Sequence, residues 1–316
     1  TWQEIQKLKA EMNDKLTLSA EESSKLTEHI AALQYERTEA FNKRQTLDSS
    51  KETFVKLRFS LRTDFRFSSP VERHVFRIRP LPAERPNQRV LYSTFSVEPA
   101  ASLFFTADPI LGNGTWTGRI DAPHDRFAVE AEGEVEMMPN AADDRPPAPY
   151  FLQPTPLTMP GPQIRALAQA ADGRLAPGAS VEARIFAAMH AVHEAFSYAP
   201  GATHTATAAE SALALGRGVC QDYAQTLASL LRLWGIPALY AAGLLQGEGA
   251  THAWVQAWSG TRWIAVDPTN NCSAERCIEI ARGRDAVDAA LERGVFCGFA
   301  EQKLSVSACV YEAPAP

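Results

Sequence analysis

Apolar residues recur every three or four positions along the first fifty residues, a spacing that predicts two amphipathic helices. The first apolar stripe contains Trp2, Ile5, Leu8, Met12 and Leu16, and the second contains Leu26, Ile30, Leu33 and Phe41. Between them, Ser19 and Glu22 have the spacing of a capping box at a helix N-terminus. No glycine or proline interrupts this stretch. The pattern therefore predicts an α-helical hairpin over residues 1–50.

From residue 55 the period changes to two. Apolar and polar residues alternate through residues 55–67, as expected of an antiparallel strand with one buried face. Shorter runs of this kind follow at residues 74–79, 90–97, 103–106, 115–119 and 127–136, with Pro- or Gly-bearing turns between them. Several short strands separated by turn signals predict a β-sandwich domain over residues 51–140. Residues 141–162 form a Pro-rich linker.

Residues 163–316 mix helical and strand patterns. Helices are predicted at about 162–172, 180–196 and 205–215, and another apolar helical run begins after Gly218 and stops at Gly235. Strands are predicted near 238–246, 252–258, 263–266, 277–282 and 304–311. A helix packed on an antiparallel sheet makes this region an α+β core.

The start of the fourth helix carries the first candidate for chemistry, Cys220. A helix N-terminus favours negative charge, so a thiol held there loses its proton more readily and becomes a nucleophile. Downstream, His252 lies near the start of one strand and Asp267 at the end of the next, with a hairpin turn between the strands. A thiolate, an imidazole and a carboxylate in this arrangement make a Cys-His-Asp triad.

Three motifs in this order resemble the transglutaminase-like superfamily of papain-type folds. They are Gly218-Val219-Cys220-Gln221-Asp222, Thr251-His252-Ala253-Trp254 and Asp267-Pro268-Thr269-Asn270. Residues 88–91 and 121–127 resemble the N-terminal β-domain of bacterial transglutaminase-like proteins. The resemblance implies a papain/transglutaminase-like core, with the Cys-bearing helix packed on an antiparallel sheet. It also implies that Cys220 attacks, that His252 is the general base and acid, and that Asp267 orients the imidazole.

Two further candidates are weaker. Tyr198 lies in Phe196-Ser197-Tyr198, which resembles an F-x-Y segment of the family, and we assign its hydroxyl to the oxyanion beside the Cys220 backbone N–H. Core packing is the stronger interpretation of this tyrosine from the residues alone. His190 and His193 share a helix face without a third ligand, so we predict no metal and no cofactor.

The predicted activity is thiol attack on a peptide or amide carbonyl, followed by hydrolysis of the thioacyl-enzyme. Transfer of the acyl group to an amine, as in protein crosslinking, remains open. A catalytically silent protein-binding scaffold is the alternative from another class. A peptide or protein substrate is expected in either catalytic case.

The N-terminal segment differs in composition from the rest of the chain. Seven of the eight lysines lie in residues 1–56, and arginine replaces lysine almost everywhere later. This change indicates a separately derived module: a natural fusion, an added tag, or an interaction hairpin for a protein partner or for self-association. A regulatory role over the catalytic cleft is a further hypothesis.

Charge and cysteine content limit the classes of partner and the cellular compartment that we expect. The formal charge of −6 gives no reason to expect a nucleic-acid partner, and no apolar run approaches the roughly 18–20 residues that span a bilayer. The N-terminus is polar, so no signal peptide is predicted. Five cysteines, an odd number, do not form a disulfide framework, and a catalytic thiol needs a reducing compartment. We therefore expect a cytoplasmic protein.

Overall fold

The computed structural model describes residues 54–138, 141 and 143–313. The predicted helical hairpin over residues 1–50 lies outside these residues. Within them, the chain forms a sheet-rich N-terminal region and a core of four helices on an antiparallel sheet. This is the architecture expected of the α+β core and its preceding β-domain.

The N-terminal region begins with a strand that is much longer than predicted. The first five strands are β1 (Val55–Ile78), β2 (Gln88–Glu98), β3 (Leu103–Ala107), β4 (Gly114–Ile120) and β5 (His124–Met137). Strand β1 joins the two runs predicted at residues 55–67 and 74–79. Its first half buries Leu57, Phe59 and Leu61 and exposes the residues between them, which confirms the alternation.

Four helices follow a short 3-10 helix, Pro149–Leu152. They are α1 (Pro162–Asp172), α2 (Val181–Ala195), α3 (Ala209–Leu215) and α4 (Cys220–Leu233), within a few residues of the predicted positions. Local signals explain their ends. The Ser180 hydroxyl accepts a hydrogen bond from the Ala183 N–H at the start of α2, and Gly216 ends α3 with a left-handed φ of 63°.

The remaining strands are short except for the last. They are β6 (Ser197–Tyr198), β7 (Arg217–Gly218), β8 (Ala238–Leu244), β9 (Gly247–Gly249), β10 (Thr251–Trp258), β11 (Trp263–Asp267), β12 (Cys272–Ser273), β13 (Ile278–Gly283), β14 (Glu292–Cys297) and β15 (Gln302–Glu312). The core sheet has the order β12-β11-β10-β8-β13, and all its pairings are antiparallel. Helix α4 packs on this sheet with Leu227, Leu230 and Leu231 fully buried.

The last two strands belong to the N-terminal sheet rather than to the core sheet. The strand predicted near 304–311 exists as β15, and it pairs with the first half of β1 from Leu57 opposite Glu312 to Phe67 opposite Gln302. Strand β14 pairs with the second half of β1. The sequence does not indicate these pairings, because strand partners are set by contacts that are distant along the chain.

Strand β1 is shared by two groups of strands, one paired with each half of it, and these groups are the two layers of the N-terminal region. Its register shifts between Arg66 and Val71; the first half pairs with β5 and β15, and the second half with β4 and β14. The rings of Phe76, from the second half, and Phe127, opposite the first half, have centroids 4.5 Å apart. Residues of both halves therefore face each other across a shared apolar core.

A buried polar cluster joins the N-terminal region to the core sheet. Glu279 on β13 forms an ion pair with Arg85, and both side chains are 4% exposed. The Gln88 side chain donates to the carbonyl of Glu279 at 2.9 Å and accepts from its N–H at 2.7 Å. Because buried polar groups must find partners, these bonds fix the orientation of the core sheet against the loop that precedes β2.

Candidate active site

Cys220 is the first residue of α4, as predicted. The turn before it is held by Asp222, whose Oδ2 accepts from the Val219 N–H at 2.8 Å and from the Thr203 hydroxyl at 2.7 Å. Gly218 is required for this closeness, because a Cβ there would lie 2.6 Å from the same carboxylate oxygen. In the sequence, Asp222 is identified only as the last residue of the first motif, and its role in the turn is not predicted. The Asp222 side chain is fully buried, and it holds the turn that places Cys220 at the N-terminus of the helix.

His252 lies at the second position of β10, opposite Gly243 of β8. Asp267 is the last residue of β11, the strand on the other side of β10. The His252 Nε2 and Asp267 Oδ2 atoms are 2.8 Å apart, and the thiol of Cys220 hydrogen-bonds the same imidazole. Since Nε2 contacts Asp267, Nδ1 is the ring nitrogen that remains for the thiol. The structure thus brings the three predicted residues together in the order Cys–His–Asp.

The Asp267 carboxylate is 1% exposed and receives four hydrogen bonds. Besides His252, the Asn270 side chain donates to Oδ2 at 2.6 Å, and the N–H groups of Thr269 and Asn270 donate to Oδ1 at 2.9 and 3.2 Å. These bonds fix both oxygens, so the carboxylate cannot rotate away from the imidazole. Asn270 is the last residue of the Asp-Pro-Thr-Asn motif, but the sequence predicts no function for it.

Opposite charges dominate the electrostatics of this pair. Burial lowers the pKa of His252, but the charge of Asp267 and the hydrogen bonds of the ring with Asp267 and Cys220 outweigh burial and raise the pKa to about 10. Burial raises the pKa of Asp267, yet His252 and the Asn270 bonds bring that pKa below its ordinary value. At neutral pH the imidazole is therefore protonated beside an ionised carboxylate. A cation next to Cys220 favours the thiolate.

Tyr198 lies beside the turn that leads to Cys220. It sits on β6, directly opposite Gly218 of β7 in a two-residue parallel ladder, and its ring packs 6.5 Å from that of Tyr223. Burial, followed by the nearby Cys220, raises the pKa of Tyr198, so its hydroxyl keeps its proton. A protonated hydroxyl at this position is a hydrogen-bond donor close to the nucleophile.

Helix α4 also holds the loop at residues 199–208. Asp222 binds the Thr203 hydroxyl, the Gln221 side chain donates to the Thr205 carbonyl at 3.4 Å, and Gln225 donates to the Thr207 carbonyl at 3.3 Å. Three side chains from the first two turns of the helix thereby attach this loop alongside Cys220. These contacts depend on how the loop returns to the helix, and no motif in the sequence predicts them.

The histidine pair on α2 has structural contacts. His190 Nε2 lies 3.2 Å from Glu194 on the same helix, and His193 Nδ1 lies 3.1 Å from the carbonyl of Pro268, the residue after Asp267. His193 therefore links α2 to the end of β11. Among the described residues, no group of three or more His, Cys, Asp or Glu side chains has the arrangement of a metal site.

Two further observations concern disulfide bonds and membrane-spanning helices. All five cysteines lie within the described residues, and none of them forms a disulfide bond. In the described part of the chain, no helix combines the length and apolar character needed to cross a membrane.

Two family models match the chain. Residues 166–268 match the transglutaminase-like superfamily, and residues 57–136 match the bacterial transglutaminase-like N-terminal region. The first match ends one residue after Asp267 and includes Cys220 and His252. The second covers most of β1 to β5.

The chain is also similar to several individual proteins. An uncharacterized protein of Mycobacterium leprae is 28% identical over 270 residues, covering 77% of this chain and 94% of its own. A protein-glutamine gamma-glutamyltransferase of Pseudomonas aeruginosa is 34% identical over 99 residues, covering 27% of this chain and 15% of its own. A crystal structure from Cytophaga hutchinsonii, described as a candidate cysteine protease, is similar with a TM-score of 0.69. It is 20% identical and covers 84% of this chain and 92% of its own, so the two proteins share a fold.

Proposed function

The chain belongs to the transglutaminase-like superfamily, and from this premise we propose that it is a thiol-dependent hydrolase of peptide or amide bonds. Cys220 is the nucleophile, His252 the general base and acid, and Asp267 the residue that orients the imidazole. The observation that carries the proposal is the contact chain from the Cys220 thiol to His252 and from His252 Nε2 to Asp267 Oδ2 at 2.8 Å.

In the first half-reaction, the Cys220 thiolate attacks the carbonyl carbon and forms a tetrahedral intermediate. The sulfur–carbon bond forms as the carbonyl π electrons move to the oxygen. The backbone N–H of Cys220 and the hydroxyl of Tyr198 are the donors that we assign to this oxyanion. When the intermediate collapses, the imidazolium of His252 gives its Nδ1 proton to the leaving amine, and a thioester remains on Cys220.

In the second half-reaction, the neutral imidazole accepts a proton from water, and the resulting hydroxide attacks the thioester. Collapse releases the carboxylic acid and regenerates the thiolate–imidazolium pair. Asp267 stays ionised throughout, because its role is to hold the ring orientation and to stabilise the imidazolium. Asn270 supports the role by fixing the carboxylate.

The proposal is tested with p-nitrophenyl acetate, an activated ester that reports acylation directly. The wild-type protein is expected to release a burst of one p-nitrophenol per active site and to carry an acetyl group on Cys220, detected by peptide mass spectrometry. Cys220→Ala is expected to abolish the burst, whereas Cys297→Ala, at an exposed cysteine, leaves it unchanged. An equal burst from Cys220→Ala would contradict the proposal, because another residue would then be acylated, and no burst from the wild type would favour the scaffold.

Transfer to an amine is the second candidate, and the resemblance to the Pseudomonas aeruginosa glutamyltransferase favours it. The same thioester serves both outcomes, since an amine replaces water in the second half-reaction. Incubation with casein and a fluorescent alkylamine separates them. Covalent labelling of casein that depends on Cys220 identifies a transferase, and release of ammonia or new peptide ends without labelling identifies a hydrolase.

Two expectations from the sequence remain proposals. A reducing, cytoplasmic compartment suits a catalytic thiol, and the N-terminal fifty residues are proposed as an interaction module.

A further inference from the structure

A cavity of about 130 Å³ lies between the two layers of the N-terminal region, and the triad contributes nothing to its lining. Residues of β14 and β15, which pair with different halves of β1, contribute to its lining. Five phenyl rings line it: Phe65, Phe67, Phe76, Phe127 and Phe296. A cavity of this size is comparable with the roughly 150 Å³ cavity that holds one benzene molecule in an apolar core.

The aromatic wall is tightly arranged. The rings of Phe67 and Phe296 have centroids 5.0 Å apart, and those of Phe76 and Phe127 are 4.5 Å apart. Aromatic rings attract cations through their negative faces, most strongly when water is excluded. The wall thus suits an apolar body that carries a positive charge.

His74 places a hydrogen-bond acceptor at this cavity. The His124 Nδ1 atom is 3.0 Å from the Ala122 carbonyl, which only accepts, so His124 donates there and its Nε2 accepts. His74 Nδ1 lies 3.2 Å from that Nε2 and must donate, which leaves His74 Nε2 as an unprotonated acceptor. Burial, with the adjacent His124, lowers the pKa of His74 to about 4, so the ring stays neutral. Gly294 leaves this nitrogen open, because a Cβ there would lie 2.6 Å from it.

Glu292 places a carboxyl group at the same cavity. It is opposite the buried Ile78 in the β1–β14 pairing and lines the space between the layers, where its side chain hydrogen-bonds the Thr63 hydroxyl. Burial raises the pKa of Glu292, and the hydrogen bond with Thr63 lowers it by a smaller amount. No described Lys, Arg or His side chain forms an ion pair with it. A carboxylate withdrawn from water without a cation is costly, so a cation bound beside Glu292 would stabilise its ionised form.

The neighbouring Arg293 does not supply that cation. It is exposed, directly opposite the exposed Arg77, and alternation along β14 turns its side chain to the face opposite Glu292. Two further polar residues of the lining, Arg293 and Gln302, are exposed to solvent. The polar groups that remain inside, His74 Nε2 and the Glu292 carboxylate in its ionised form, are both acceptors. A ligand that matches them must donate hydrogen bonds and carry positive charge.

We propose that this cavity binds a small primary alkylammonium ion. Its N–H groups donate to the Glu292 carboxylate and to His74 Nε2, and its alkyl chain lies against the phenyl rings. An anion is excluded by the carboxylate, and a neutral alcohol of the same size forfeits the charge interaction. The site is independent of the proposed reaction at Cys220.

The test uses n-butylammonium chloride as the probe and n-butanol as its neutral counterpart, with sodium chloride holding the ionic strength constant. Binding to the full chain at pH 8 is measured by calorimetry and by the shift in melting temperature. We expect saturable binding of butylammonium and a raised melting temperature, with n-butanol at least about tenfold weaker, a factor that corresponds to about 1.4 kcal/mol.

Two variants locate the site. Glu292→Gln keeps the shape of the side chain and is expected to weaken butylammonium binding at least about tenfold, the factor for about 1.4 kcal/mol. The matched control Glu72→Gln, at a half-exposed glutamate on the same strand pair, is expected to bind normally. If Glu292→Gln does not fold, Phe296→Leu removes one ring and tests the same wall. Equal binding of n-butanol, undiminished binding by Glu292→Gln or by Phe296→Leu, or no binding by the wild type would overturn the proposal.

Discussion

Tyr198 lies directly opposite Gly218 in a two-residue parallel ladder, two positions ahead of Cys220. The Ser197 N–H donates to the Gly216 carbonyl at 2.9 Å, and the Ala199 N–H donates to the Gly218 carbonyl at 2.8 Å. The tyrosine is thereby attached to the same turn that presents the nucleophile. Its distance from the reacting atoms is set by backbone hydrogen bonds rather than by a flexible loop.

Tyr198→Phe is expected to lower kcat by on the order of 10²-fold with little change in KM, because the lost hydroxyl acts on the transition-state oxyanion. The measurement is steady-state hydrolysis of p-nitrophenyl acetate. Tyr223→Phe is the matched control, since its buried hydroxyl contacts the Phe196 carbonyl instead. A loss of activity as large in Tyr223→Phe as in Tyr198→Phe would show a packing role for both.

Cys220 is expected to react with iodoacetamide faster below pH 7 than the exposed Cys297 in the same molecules. The reason is the protonated His252 beside Cys220, because a cation next to a cysteine increases its reactivity as a nucleophile. Rates from pH 5 to 9 are read at each cysteine by peptide mass spectrometry. In His252→Gln the advantage of Cys220 at low pH disappears. Parallel profiles for Cys220 and Cys297 in the wild type would mean that no ion pair exists.

The contribution of His252 to stability is expected to fall with rising pH. Its pKa is about 10 in the folded protein and 6.5 as the reference value, so the folded state binds the proton more tightly. The stabilisation is fully present below pH 6.5 and is lost as the pH rises through 10. The measured quantity is the difference in unfolding free energy between wild type and His252→Gln at pH 6, 8 and 10.

Urea unfolding at each pH supplies these free energies. A difference between wild type and His252→Gln that stays constant from pH 6 to 10 would be inconsistent with the raised pKa.

Asp222→Ala is expected to lower stability by about 1–2 kcal/mol, because the side chain caps the first turn of α4. It is also expected to slow acylation of Cys220, since the turn and the Thr203 contact loosen together. Asp222→Asn retains an acceptor oxygen and is expected to lie close to wild type in both assays. Urea unfolding and the burst rate with p-nitrophenyl acetate measure the two effects. Acylation at the wild-type rate in Asp222→Ala would argue against a positioning role.

Arg85→Met is expected to destabilise the protein by about 3–5 kcal/mol, because it leaves the buried Glu279 without its closest cation. The double variant Arg85→Met with Glu279→Leu removes both charges and is expected to recover a large part of this loss. Chemical denaturation of both variants measures the difference. A double variant that is less stable than Arg85→Met alone would show that the hydrogen bonds of Glu279 to Gln256, and not its charge, dominate.

The sequence predicts those parts of the molecule that depend on neighbouring residues. The helix that begins at Cys220 and the strands that carry His252 and Asp267 follow from local periodicity, glycine placement and three short motifs. Hydrogen bonds that form where a loop folds back on the chain were not predictable. The bond between Thr203 and Asp222 and the bond between Asn270 and Asp267 are examples. A hydrogen bond of this kind leaves no periodic signal, since either partner alone is an ordinary loop residue.

The pairing of the last predicted strand could not be predicted for the same reason. The run at residues 304–311 has a clear strand pattern, but alternation specifies a face and not a partner. Its pairing with β1 depends on the open edge of a strand more than two hundred residues earlier. The acceptor His74 Nε2 likewise required the positions of His124 and Ala122, which no motif connects.

The hydrogen-bonded ladder between β1 and β15 has a consequence for how the chain reaches its native state. The first described strand completes its pairing only when residues 302–312 are present, so the N-terminal sheet cannot close during synthesis of the core. Contacts of such long sequence separation make folding slow relative to helical or locally paired proteins. On the ribosome, the first described strand emerges before residues 302–312 and retains an unpaired edge until they leave the exit tunnel. Closure of this sheet therefore reports that residues 302–312 are present and intact.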